Sequence, residues 1–424
     1  MKKSSNTLPI IIMMLLFGMI GFVTNIAAPA GTIWMNQYEG SNFIGMLGNM
    51  MNFMAYLIMG VPAGLLLSKI GYKKTAIVAV SVGLLGVFIQ FISGKFIGDS
   101  GLITYLTGAF ISGFSMCMLN TVVNPMLNTM GGGGKKGAVL LQLGGGFNSL
   151  LGTLAPIFVG AMIGAVTKDT VFSDINTVLY IAMGIFAFAL LVLISANIPE
   201  PEEISEKSEE TKGKSIWSYR HFVLGVIGIF IYVGVEVGIP GTMKFWLENL
   251  KENALDPSAA GTVAATYWFL MLIGRLLGAG ISAKTGSKKL LTVVSSLAII
   301  LVLSAMLLPA TMTVSMPVFS NFSFAMQVVP MSALLFVLVG LCTSVMWGGI
   351  FNLAVEGLGK FTKKASGIFM MMVVGGGILP LIQNFIVDIT DKNYMLSYIV
   401  PLLGLTYLLF YALIGSKHSV SRKA

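Results

Sequence analysis

Apolar residues run along this chain in long unbroken blocks, with polar residues confined to the gaps between them. Crossing a bilayer as a helix takes about 20 mainly apolar residues. Stretches of that kind fall near 9–34, 43–67, 76–94, 102–126, 138–165, 176–197, 221–247, 258–283, 290–310, 330–355, 366–388 and 395–415. The blocks lack the ten-residue alternation of an outer-membrane barrel, so strands are not expected. The pattern predicts an all-α membrane protein with twelve transmembrane helices.

The gaps carry a repeat. Gly64-Leu-Leu-Leu-Ser-Lys69-Ile-Gly71-Tyr-Lys73-Lys74 follows the second block, and Gly280-Ile-Ser-Ala-Lys284-Thr-Gly286-Ser-Lys288-Lys289 follows the eighth. Gly144-Gly145-Gly146 early in the fifth block is matched by Gly375-Gly376-Gly377 early in the eleventh. Motifs that recur in the same order half a chain apart imply two pseudo-symmetric six-helix bundles. We assign residues 1–198 to the first, 199–220 to a polar linker and 221–424 to the second. The linker, rich in glutamate at Glu202, Glu203, Glu206, Glu209 and Glu210, reads as a solvated tether. Paired bundles with a mobile interface expose one site to two sides in turn, which points to transport.

Composition sharpens this picture. Of 424 residues 56% are hydrophobic and 10% charged, which no ordinary soluble domain matches. The net charge of +9 reports topology. Of 26 Lys and Arg, only Lys95, Lys168, Lys251 and Lys392 lie in odd-numbered connections, and Lys244 and Arg275 lie inside helices; the other twenty flank the opposite face. The positive-inside rule then places both termini in the cytoplasm of a bacterial-type inner membrane. Charge scattered over short loops excludes a nucleic-acid surface. Cys117 and Cys342 sit inside apolar blocks as small buried hydrophobes. The glycine run at 131–134 lacks the spacing of a phosphate loop. Paired intramembrane carboxylates, HExxH and serine–histidine–aspartate arrangements are all missing, so an enzyme is not expected.

The chemistry that remains is intramembrane. Of 17 acids only Glu236 falls mid-span. A carboxylate there faces a cavity, a partner or an ion path, which makes Glu236 the candidate coupling group. Arg275 is expected to anchor a loop or to pair across the bundle interface. Lys244 stands four residues before Glu248, and an ion pair between them is the plain reading. Amides and aromatics supply a candidate substrate set: Asn25, Asn120, Asn124, Asn148 and Asn352 with Tyr267, Trp268 and Trp347. Amides donate to and accept from hydroxyls, and an aromatic face packs on the C–H face of a sugar ring. A single amide is more often glue between helices, so about a third of the intramembrane amides are expected to line a site. Gly64, Lys69, Gly71, Lys73, Arg275, Lys284 and Gly286 form the candidate gating set.

At Val61-Pro62-Ala63-Gly64, Leu119-Asn120-Thr121 with Asn124-Pro125, Phe147-Asn148-Ser149, Tyr232-Val-Gly-Val-Glu236 and Tyr267-Trp268 the chain resembles the major facilitator superfamily, in particular its fucose/galactose/glucose symporter branch. The resemblance implies a central sugar site, rocker-switch alternating access and proton-driven sugar uptake, with sodium coupling and facilitated diffusion as the open alternatives. It also exposes a departure. Two acids that serve binding and protonation in the fucose permease correspond here to Ala28 and Asn120, both neutral, which leaves Glu236 as the group that could couple. The expected partners are a small-molecule sugar and the bilayer, with a monomer sufficing, no resident cofactor and H+ or Na+ as coupling ion. Efflux of lipophilic compounds and a non-transporting membrane sensor are the alternatives. Dye retention in cells without the protein would reveal the first, and ligand binding without flux the second.

Overall fold

The structure is a computed structural model. It describes residues 7–131, 134–163, 166–167, 169–198, 200, 215–320, 323–358 and 362–417. Most of the 199–220 linker, the first six residues and the C-terminal tail therefore lie outside the described residues.

Long helices follow the apolar blocks closely. They are α1 (Thr7–Gln37), α2 (Asn42–Ser93), α3 (Asp99–Met130), α4 (Gly134–Ile163), α5 (Asn176–Ser195), α6 (Arg220–Glu248), α7 (Pro257–Thr285) and α8 (Ser287–Leu307). Eleven described segments are long and apolar enough to span a membrane. One of them, α2, has 52 residues and leaves helical geometry at Gly71 (φ 80°, ψ 177°), so it comprises two spans and the number rises to twelve. A glycine is required at that turn, because a positive φ with extended ψ excludes side chains.

The last three spans are built from pieces. The tenth divides into α9 (Met331–Thr343) and α10 (Met346–Val355), and the eleventh into α11 (Thr362–Met372) and α12 (Gly375–Ile389). The twelfth runs from α13 (Tyr394–Ser397) through α14 (Ile399–Phe410) into a π turn at Tyr411–Gly415. Helix interruptions inside a membrane persist where neighbouring protein covers the freed backbone. Here Gly375 lies so close to α6 that a Cβ would stand 1.8 Å from the Phe230 carbonyl oxygen.

One element departs from the all-helical expectation. Residues 311–329 read as a plain connection, but they hold an antiparallel hairpin of β1 (Thr313–Ser320) and β2 (Ser323–Pro330). Met316, Val318, Phe324, Met326, Val328 and Val329 put apolar residues on both faces, so the strands lack the apolar–polar alternation that would mark them in sequence.

The two bundles meet along two seams, α2 against α11 and α12, and α4 against α7. These are the same pair under a half-chain shift, span two with eleven and span five with eight, which is the symmetry the repeat implied. The glycine triplets sit on these seams. Gly145 and Gly146 face Arg275 and Leu272 of α7, while Gly376 and Gly377 face Phe53 and Met50 of α2. Small residues let helix backbones approach where no water-driven force draws them together. Asn49 of α2 adds a hydrogen bond to the Gly376 carbonyl at 2.9 Å.

Candidate functional site

Mid-span charges come together at the α4–α7 seam. Glu236 on α6 places Oε1 3.5 Å from Nη2 of Arg275 on α7. The other Arg275 nitrogen, Nη1, reaches across the seam to α4. It donates to the Gly145 carbonyl at 2.5 Å and to Ser149 Oγ at 3.0 Å. Both side chains of the ion pair are largely shielded, at 11% and 15% exposure. Arg275 thus pairs with an acid of its own bundle and reaches the other bundle through neutral acceptors. Its fork of donors allows this, whereas a lysine would make one point contact.

Aromatic residues surround the pair. Tyr232, one turn before Glu236, lies within electrostatic reach of Glu236, Arg275 and Tyr267, with its buried hydroxyl turned toward the Glu236 carboxylate. Its ring sits 6.1 Å from that of Trp347 on α10. The Tyr267 hydroxyl bonds Thr343 Oγ1 at 2.8 Å, and its ring meets Trp268 edge-on at 5.7 Å. Five candidate residues, Glu236, Tyr267, Trp268, Arg275 and Trp347, therefore share one neighbourhood.

The amides divide. Asn120 on α3 donates to the Tyr56 hydroxyl at 2.8 Å, and Asn124 donates to the Asn120 carbonyl at 2.9 Å. They form a second, half-buried polar cluster between α2 and α3. Asn25 donates to the Gly21 carbonyl within α1, and Asn148 donates to the Phe17 carbonyl at 2.8 Å, tying α4 to α1. Asn148 therefore reads as glue between helices, while the Asn25 bond stays within its own helix. Asn352 stands exposed on α10. No described contact joins it, or the Asn120 cluster, to Glu236.

Of the gating set, Gly71 and Lys73 are engaged. The Glu200 carboxylate accepts from the Tyr72 amide at 2.8 Å and the Lys73 amide at 3.3 Å, at the start of a helix where an anion is favoured. The Lys73 ammonium donates to the Ile194 and Ala196 carbonyls at 3.1 and 2.7 Å, closing the end of α5. Gly286 repeats the turn at φ 76°, with open space around it. Gly64 also faces open space, and Lys69 is exposed. The Lys284 and Ala28 side chains lie outside the described residues.

Two further links close the bundles at the end away from the termini. Lys244 donates to Glu248 Oε1 at 2.5 Å, as its spacing foretold, but also to Thr32 Oγ1 of α1. That makes a buried three-member link between α1 and α6. On the other flank Asp388 of α12 accepts from Ser41 Oγ (3.0 Å), the Asn42 amide (3.1 Å), the Phe43 amide (2.9 Å) and Lys392 Nζ (2.8 Å). An acid from one bundle thereby caps the first turn of α2 in the other. Lys392 and Tyr394 fasten the same turn through the Gly40 carbonyl and Asn42.

A seam of two symmetric helix pairs, glycine-packed and bridged by intramembrane charge, is the architecture of a rocking two-bundle carrier. The Major Facilitator Superfamily model matches residues 10–380. The chain belongs to the major facilitator superfamily. It is 32% identical to a putative glucose/galactose transporter of Helicobacter pylori (strain J99), over 98% of this chain and 99% of that one. A glucose/galactose transporter of Brucella abortus is 31% identical over 95% and 93%. The L-fucose-proton symporter of Escherichia coli K12 is 22% identical over 85% and 82%. Among solved structures, the superfamily transporter FucP in its outward conformation matches with a TM-score of 0.68, at 20% identity, covering 98% of this chain and all of that one. This likeness concerns the fold.

Proposed function

We propose that this protein is an ion-coupled sugar symporter of a bacterial inner membrane, with glucose and galactose as the first substrates to try. The near-full-length similarity to two transporters named for those sugars carries the reading. The bundle division 1–198, 199–220 and 221–424, cytoplasmic termini and a monomeric carrier belong to the same proposal. The charge asymmetry of the loops supports the orientation. In it, the Thr32–Lys244–Glu248 and Asp388 links close the periplasmic side.

Within this reading Glu236 is the coupling group and Arg275 its transmitter. Arg275 divides its donors between the Glu236 carboxylate and the α4 backbone. Neutralising Glu236 with a proton or Na+ removes one claim on the guanidinium and leaves it to Gly145 and Ser149. The charge state of a mid-membrane acid thereby sets the grip of the α4–α7 seam. Tyr232 and the rings of Trp268 and Trp347 would take a sugar beside the pair. Asn120 and Asn124 face the task from the first bundle, while Asn25 and Asn148 serve the site through packing.

Counterflow tests recognition without any gradient. Proteoliposomes preloaded with unlabelled glucose or galactose should take up the labelled sugar transiently above equilibrium. Absence of counterflow for both hexoses would set the sugar reading aside.

A further inference from the structure

The β1–β2 hairpin has no role in the mechanism above, and its chemistry is unusual for an external loop. Its paired residues alternate between two faces. Met316 and Val318, both 2% exposed, and Val329 turn inward. Phe324, Met326 and Val328, at 66%, 64% and 58% exposure, form an outward face with Pro317, which is paired to Met326. An apolar strip of this kind in water invites aggregation.

Its position removes the difficulty. The Phe324 ring lies 6.3 Å from that of Phe269 on α7. Phe269 stands twelve residues from the Pro257 end of α7, about 18 Å along the axis at 1.5 Å per residue. The 29 residues of α7 make a rod of about 43 Å, against a hydrocarbon layer of about 30 Å. If the helix is centred, Phe269 lies roughly 11–12 Å inside the apolar layer. Strand β1 rests on α7 and α9, and β2 on α9. Together with Thr153 and Ile157 of α4 and Thr262, Thr266 and Leu270 of α7, Pro317 and Phe324 enclose a cavity of about 90 Å³. The hairpin thus runs down the outer half of the α4–α7 seam and roofs it.

We infer that the hairpin is a membrane-inserted strap that lays Pro317 and Phe324 over the α4–α7 seam and turns Met326 and Val328 to lipid acyl chains, shielding the seam from the bilayer. The ladder satisfies one edge of each strand. The strip is continuous in character with the exposed apolar residues of neighbouring α8, among them Ile300, Leu303 and Leu307. Lipid is therefore the occupant that matches both depth and surface chemistry.

The test is fluorescence quenching in proteoliposomes. An environment-sensitive probe is attached at Met326→Cys and, for comparison, at Lys251→Cys in the exposed α6–α7 turn; the unsubstituted chain measures background labelling of buried Cys117 and Cys342. Spin label on the acyl chain should quench the probe at 326 at least threefold more than aqueous iodide does, with the order reversed at 251. Phe324→Asp should release the strap and raise iodide quenching at 326. If iodide quenches both positions alike, the strap lies in water and the inference is wrong. If neither quencher reaches 326, protein covers the strip, as in an association of two copies, and the lipid assignment is equally overturned.

Discussion

Removing the Asp388 carboxylate should unlock one end of the molecule by an amount that the structure allows to be worked out. Asp388→Ala withdraws the acceptor for Ser41 and for the Asn42 and Phe43 amides, the first of α2. Loss of such a cap costs about 1 kcal/mol. The interaction of the carboxylate with the helix dipole adds about 0.5 kcal/mol. Lys392 is 43% exposed, so its ion pair is discounted for solvent to about 0.5 kcal/mol. Together these give about 2 kcal/mol in favour of separation at that end, or about 30-fold in the ratio of open to closed. Asp388→Asn keeps the shape and loses the charge; it should give about half that energy, near fivefold. Spin labels at Gln37→Cys and Lys251→Cys, exposed on the two bundles at this end, read the separation by double electron–electron resonance. The longer-distance population should grow in the order wild type, Asn variant, Ala variant. Unchanged distance distributions in both variants would refute the idea that Asp388 holds the bundles together.

Three other substitutions probe separate links. Glu236→Gln should abolish accumulation of sugar against a gradient while leaving counterflow measurable; normal accumulation would remove Glu236 from coupling. Lys244→Met leaves Glu248 buried without its cation, which should cost about 3–5 kcal/mol in thermal unfolding. The double variant with Glu248→Met should recover most of that loss, and failure to recover would point to packing instead of charge. Gly71→Ala places a Cβ 2.6 Å from Glu200 Oε1 at φ 80°, so roughly 1–3 kcal/mol of strain and loss of the Glu200 contacts are expected. An unaltered melting temperature would show that the turn relaxes freely.

Most of the architecture was readable because a bilayer leaves the chain few options. Spans must be long and apolar, and the repeated motifs at Gly71 and Gly286 fall where the structure makes positive-φ turns. The glycine triplets could be matched in order, but not assigned to the seams, since their partners Leu272 and Phe53 carry no sequence signal of pairing. Glu236 and Arg275 stood out because charge inside a span is rare, and they proved to be neighbours. Asn148 looked identical in kind to Asn120, yet it ties α4 to α1; only geometry separates glue from lining. Asp388 was passed over as an acid near a helix end. Its importance comes from Asn42, 346 positions away, which no local pattern connects to it. The hairpin was illegible for a different reason: with apolar residues on both faces, it shows no period-two alternation between two strong spans.

Gradient-driven uptake tests the central claim most directly. Proteoliposomes bearing the protein receive labelled glucose or galactose under an imposed inward H+ gradient, an imposed inward Na+ gradient, or neither. The account predicts saturable accumulation above the external concentration with one gradient, equilibration without it, and loss of the gradient's effect in Glu236→Gln. Equal uptake under all three conditions would contradict coupled symport and leave a uniporter.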